Sequence, residues 1–180
     1  MRRRAETVTS LYEAAIPPVR RALVNLGAIL DKAAAHFQAE GVAEADWLGA
    51  RLAPDMFSLI RQVQSASDAA RFLASRLSGG TAPSMADEEK SVAELRDRID
   101  RTIAYLDSLA PAAIDGREAE PVVVTLPKAE IRFTGASYLR DFGLPNFFFH
   151  IVTAYGILRH RGAPIGKLDY LGPLDMVRFE

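Results

Sequence analysis

The sequence predicts an all-α fold, a four-helix bundle with a small β-hairpin inserted before its last long helix. Two observations carry this. Apolar residues recur at spacings of three and four along four long stretches, the period of a helix that buries one face. Between Pro111 and Gly135 the period changes to short β-branched runs. Four amphipathic helices make a bundle the economical architecture. The connection carrying the hairpin is long enough to change direction, so a simple up-down-up-down order is not implied.

The first stripe is Val8, Leu11, Ala15, Val19, Leu23, Leu26, Leu30, Ala33 and Phe37. Pro17 and Pro18 interrupt it, because each lacks an N–H and its ring crowds the preceding turn. The expectation is a short opening helix ending near Ile16, then a long one from Pro17 to about Glu40, stopped by Gly41. A connector containing Trp47 follows. Pro54 and Asp55 suit a first helical turn through fixed φ and favourable charge, and Met56, Leu59, Val63, Ala66, Ala70, Leu73 and Leu77 form the second stripe. Residues 78–84 (SGGTAPS) are a loop by composition.

A third helix presents Val92, Leu95, Ile99, Ile103, Leu106 and Leu109, with the acids of 87–90 (DEEK) near its N-terminus, where the macrodipole favours them. The runs PVVVTL and EIRFTG, joined by the three residues 127–129, form a hairpin over about 121–134. A lone hairpin is marginal in water, so it must lie on the bundle or on a partner subunit. The last helix runs from about Ala136 to His160 and is ended by Gly162, with Gly143 and Pro145 as a kink. The tail, 163–180, reads as extended chain with turns. There is no internal repeat, and 180 residues suit one domain, 1–180.

Composition narrows the chemistry. Hydrophobic residues make up 49% of the chain, enough for a core without staples. With no cysteine, disulfides, thiolate nucleophiles, Cys-based zinc sites and iron–sulfur clusters are excluded. A net charge of −1, from 22 basic and 23 acidic residues, gives no footprint for nucleic acid or an anionic membrane. The N-terminal MRRR lacks a following apolar run, so the expectation is a cytoplasmic protein. The most apolar window, 139–158, is broken by Arg140, Asp141, Pro145, Asn146 and His150, which suits a core helix with a polar site rather than a membrane span.

That site is centred on LPNFFFHIVTAYGILRH, residues 144–160. On a helix, Asn146 and His150 share a face. They are either two groups of one pocket or a buried polar pair that hydrogen-bonds across the bundle. Gln62 shares a face with Asp55, Leu59, Ala66 and Ala69, as a pocket wall would. Alternatively Asp55 interacts with the helix end and Gln62 is bonded inside the bundle. Tyr138 and Tyr155 offer hydroxyls that nothing in the sequence aims. His36 and His160 lie in polar helix ends and read as solvated. GAPIGK (162–167) has one residue too few between its glycines, and no Ser or Thr after the lysine, to be a phosphate loop. There is no dinucleotide fingerprint and no Gly-x-Ser-x-Gly elbow.

RLAPDMFSLIRQVQSASD, FTGASYL and above all LPNFFFHIVTAYGILRHRGAPIGKLDYLG resemble an uncharacterised bacterial family within the DinB/YfiT-like superfamily, over roughly Leu11 to Gly172. The resemblance implies the same four-helix bundle, often a homodimer. It implies a divalent metal held by three histidines, one from the second helix and a His-x-x-x-His pair from the last, and in some members thiol-dependent transferase or hydrolase activity. The pair falls on Asn146 and His150, and the third histidine falls on Gln62, so one imidazole of three is kept. The expectation is a degenerate site that binds a divalent metal weakly if at all. His150 would be ligand or general base, Asp55 a charge partner, and the activity a metal-dependent hydrolase or transferase. The alternative is a non-catalytic small-molecule-binding or structural homodimer.

Overall fold

The computed structural model of the protein describes residues 9–126 and 128–174. Ser10 caps the first helix, α1 (Leu11–Ala39), by accepting from the Glu13 N–H. The two helices expected on either side of Pro17 are one. Pro17 and Pro18 forfeit two backbone bonds inside α1, yet Ala15, Ile16, Val19 and Leu23 are buried in one line across them. An interior proline costs about 3 kcal/mol. Each large apolar side chain kept in the core returns roughly 1.5–3 kcal/mol, so the unbroken face wins. Val8 lies outside the described residues. The connector after α1 contains a short helix, α2 (Glu44–Leu48), which buries Trp47 with its ring 5.0 Å from that of Phe37.

The second long helix, α3 (Leu59–Ser78), starts later than Pro54 and Asp55 suggest. Ser58 takes the cap, accepting from the Arg61 N–H, and the Leu59 N–H is fixed to the Ala50 carbonyl at 2.9 Å. A serine hydroxyl in the N-cap position outcompetes a Pro-Asp pair further upstream. Pro54 and Asp55 instead lie in a turn closed from Met56 to Ala53, with Asp55 exposed. The helix ends on Gly79 at φ +72°, the left-handed conformation that glycine adopts without strain. The third long helix, α4 (Val92–Asp107), opens with a capping box between Ser91 and Glu94.

The hairpin forms as expected, β1 (Pro121–Leu126) against β2 (Ala129–Thr134), with Val122 opposite Phe133 and Val124 opposite Ile131. Of its connector, Pro127 lies outside the described residues. Val122 and Val124 are buried, and Phe133 meets the rings of Tyr138 and Phe142 at 5.9 and 6.0 Å. The hairpin therefore lies on the start of the last helical run.

That run is α5 (Gly135–Tyr138), one wide π-turn over Leu139–Gly143, and α6 (Leu144–His160). The irregularity expected at Gly143 and Pro145 is this turn. Pro145 has no N–H to offer the preceding turn, and the Leu144 N–H reaches back five residues to the Leu139 carbonyl. The tail departs from the extended chain expected of it. Ala163 and Ile165 are buried, and α7 (Lys167–Leu171) is tied to α1 by Lys32–Asp169 at 3.0 Å and by Asn25 donating to the Tyr170 carbonyl. Residues 175–180 of that tail lie outside the described residues.

α1 packs on α4 and α6, and α3 packs on the same two, most extensively on α6. The consecutive helices α1 and α3 are thus mainly diagonal across the bundle. Between α3 and α4 runs a buried ionic cluster. Arg98, wholly buried, bonds to Asp68, Asp87, Glu89 and the Ala86 carbonyl, while Arg71 bonds to Asp68 and the Pro83 carbonyl. Arg61 reaches Asp87, and Gln64 donates to Glu89. The acids expected to serve the macrodipole of α4 instead pin the loop before it. Burial pushes the Asp87 and Glu89 carboxyls up, but the bonds from Arg61 and Arg98 to Asp87, and from Gln64 and Arg98 to Glu89, outweigh it and hold both below the usual range.

Removing one partner of a buried ion cluster leaves the others uncompensated. Arg98→Ala is therefore expected to lower unfolding free energy by about 3–5 kcal/mol in urea titrations. Because the two carboxyls are depressed on folding, their stabilisation is complete above the unfolded carboxylate range and is lost as pH falls through the lower folded values. The acid-induced loss of stability should be smaller in Arg98→Ala. An Arg98→Ala protein as stable as the native chain, with the same acid profile, would contradict the assignment.

Candidate functional site

The α3–α6 seam brings Gln62 and His150 together. Gln62 is 1% exposed, and its Oε1 lies 2.8 Å from His150 Nδ1. An amide oxygen only accepts, so Nδ1 carries the proton and Nε2 keeps a lone pair. Burial and then the charge of Arg61 push the His150 imidazolium toward its neutral form, against a smaller opposing effect of Asp68. With Nδ1–H turned to Gln62, the nitrogen left bare in the neutral ring is Nε2.

Beside it is an open cavity of about 230 Å³ lined by α3, β1, the π-turn and α6. Asp68, Asn146 and His150 line it, as do Arg76 and Tyr138, and its apolar wall includes Phe72, Val124 and Phe142. The wide turn matters here, since Phe142 and Gly143 both face this space. A Cβ on Gly143 would stand 3.1 Å from Leu73 Cδ1, so a side chain there would require the Leu73 side chain to give by a few tenths of an ångström. A larger depression, about 1110 Å³, lies over residues 86–101, but it is lined largely by solvated charged chains around the start of α4, with no convergent geometry.

Gln62, Asn146 and His150 are therefore neighbours, although Gln62 stands behind the imidazole rather than in the cavity wall. The cross-bundle hydrogen bond joins His150 to Gln62 and not to Asn146. Asp55, placed on the face of Gln62 by the helix expected to start at Pro54, is not part of the site. Tyr155 is also elsewhere, its ring 6.2 Å from that of Tyr170. Sequence reasoning missed Asp68 and Arg76. The signal was available, because Ser65, Asp68, Ala69, Phe72 and Arg76 follow one another at helical spacings on the face that turned out to line the cavity.

The residues do not fit a tightly held divalent metal. The three positions offer one imidazole and two neutral amides, the Asp68 carboxylate in the same cavity is paired with Arg71 and Arg98, and among the described residues no group of three or more His, Asp or Glu side chains is placed to hold an ion. Tight zinc sites use imidazole, thiolate or carboxylate. Two ligands about 2.1 Å from a tetrahedral zinc stand about 3.4 Å apart, whereas Gln62 and His150 sit at a direct hydrogen-bond distance. The amide oxygen is already used on Nδ1–H.

Comparison with known proteins bears on the same residues. The family model of the domain of unknown function DUF1993 matches residues 11–171. The crystal structure of a DinB family member protein from Shewanella denitrificans is 39% identical in sequence, covers 93% of this chain and 95% of that chain, and superposes with a TM-score of 0.85. No curated protein matches the chain. Among the described residues, no helix is long and apolar enough to cross a membrane.

Proposed function

The chain belongs to the DUF1993 family, within the DinB-like superfamily, and from that premise we propose that it binds a small organic molecule in the α3–α6 cavity without a divalent metal. The observation that carries this is the 2.8 Å hydrogen bond between Gln62 and His150. It occupies Nδ1, fixes the ring, and leaves Nε2 as the hydrogen-bond acceptor of a residue that lines the cavity. Asn146, one turn earlier, adds an amide that both donates and accepts. Apolar walls with a few convergent polar groups are the usual composition of a ligand site. The metal-dependent transferase or hydrolase chemistry implied by the superfamily has less support here, because two of its three imidazoles are amides.

Calorimetric titration of tag-free protein with zinc tests the reading. The native chain should bind zinc weakly, and Asn146→His combined with Gln62→His should raise affinity by several orders of magnitude, since two imidazoles then replace two amides beside His150. Tight one-to-one zinc binding by the native chain would overturn the proposal.

A homodimer is part of the same proposal. Its support is apolar surface on α6 and α7: Phe149 and Val152 are 55% and 50% exposed and lie one turn apart, and Val152 shares a surface cavity with Tyr155 and Tyr170. Contiguous exposed apolar surface marks interaction sites. Light scattering at micromolar concentration should give twice the 19.7 kDa chain mass, and Phe149→Asp with Val152→Asp should give the monomer. A native monomer would rule the dimer out.

A further inference from the structure

Resting on the binding proposal above, we infer that the ligand is a carboxylate with an apolar body, anchored by Arg76 and Tyr138 at the end of the cavity away from His150. Of the three arginines on α3, Arg61 is paired with Asp87 and Arg71 with Asp68, but Arg76 has no carboxylate partner among the described residues. Its guanidinium is half-buried, lines the cavity, and lies 5.2 and 5.7 Å from the ring centres of Phe72 and Tyr138. Stacking of this kind holds the planar fork in place at little further entropic cost on binding.

Tyr138 supplies the second, independent observation. It is 1% exposed, and its hydroxyl oxygen accepts from Arg76 Nη1 at 3.1 Å. That bond uses the oxygen as acceptor, and the hydroxyl proton has no acceptor among the described residues. Burial pushes the phenol up, against a smaller effect of Arg76, so the proton stays on the oxygen. The guanidinium N–H groups not bonded to Tyr138 and the phenol O–H are therefore neighbouring donors at the cavity wall with no acceptor among the described residues. A carboxylate, with two oxygens and lone pairs for both, is the complement.

The rest of the cavity selects for the remainder of the ligand. Phe72, Val124 and Phe142 favour an apolar body. Gln62, which bonds His150, and Arg76 are fourteen residues apart on α3, so the Arg76 backbone joins the cavity wall several turns from the level of His150. Asp68 lines the cavity as well and opposes a second anionic group, which points to a monoanion.

The test uses the full chain and two probes that differ in one group, 4-phenylbutyrate and 4-phenylbutanamide, titrated by NMR at the side-chain N–H of Arg76 and at the resonances of Asn146 and His150. The acid should bind at least about tenfold tighter than the amide, the scale of a charge-assisted hydrogen bond. Arg76→Gln should abolish that preference by weakening the acid far more than the amide, whereas Arg76→Lys, which keeps the charge, should retain part of it. Equal binding of the two probes at Asn146 and His150, or an acid preference that survives Arg76→Gln, would overturn the carboxylate inference and leave the binding proposal standing. No shift at any cavity residue with either probe would overturn both.

Discussion

The buried guanidinium of Arg98 is the constraint on which the arrangement around the cavity depends. A wholly buried cation is tolerated where its charge is matched and hydrogen-bonded, and here three carboxylates from two elements meet its Nη groups: Asp68 on α3, and Asp87 and Glu89 on the loop before α4. Meeting that demand fixes the loop to α3. It also sets the electrostatics of the site next door. Asp68 lines the cavity, but Arg98 and Arg71 hold its carboxylate from behind. Arg61, drawn to Asp87 by the same cluster, contributes to keeping His150 neutral.

At the seam between α3 and α6, amides stand at two of the three positions where the family resemblance places imidazoles. Two amides in place of two imidazoles remove the strong ligands. One of the amides is then put to a different use, because the Gln62 oxygen meets Nδ1–H directly. The π-turn at Leu139–Gly143 and the hairpin resting on it bring Phe142, Val124 and Tyr138 around the space that His150 lines.

The four long helices and the hairpin were legible because spacings of three, four and two are consequences of backbone geometry. What failed did so for local reasons. Pro17 and Pro18 read as a break because the cost of an interior proline is visible in the sequence, while the continuous core that outweighs it is visible only after packing. Asp55 was misplaced because Ser58 is the better cap, and the shift removed it from the site. Arg98 and Asp68 escaped notice because charges on helices read as solvated, and their partners lie across a loop. Even so, Arg98 falls within the line Leu95, Ile99, Thr102 and Leu106, all buried, and a charge inside such a line is a sign of a buried pair. The meeting of Gln62 with His150 came from the family resemblance and not from spacing, since no period relates residues on different helices.

The claim that a hydrogen bond has taken the place of the metal is tested most directly by the protonation of one ring. A long-range proton–nitrogen correlation spectrum of His150, recorded at pH 7 on tag-free protein treated with a chelator, reports which nitrogen bears the proton. The account predicts a neutral ring protonated at Nδ1 with a bare Nε2, unchanged by equimolar zinc. A proton on Nε2, or both nitrogens displaced on adding zinc, would contradict it.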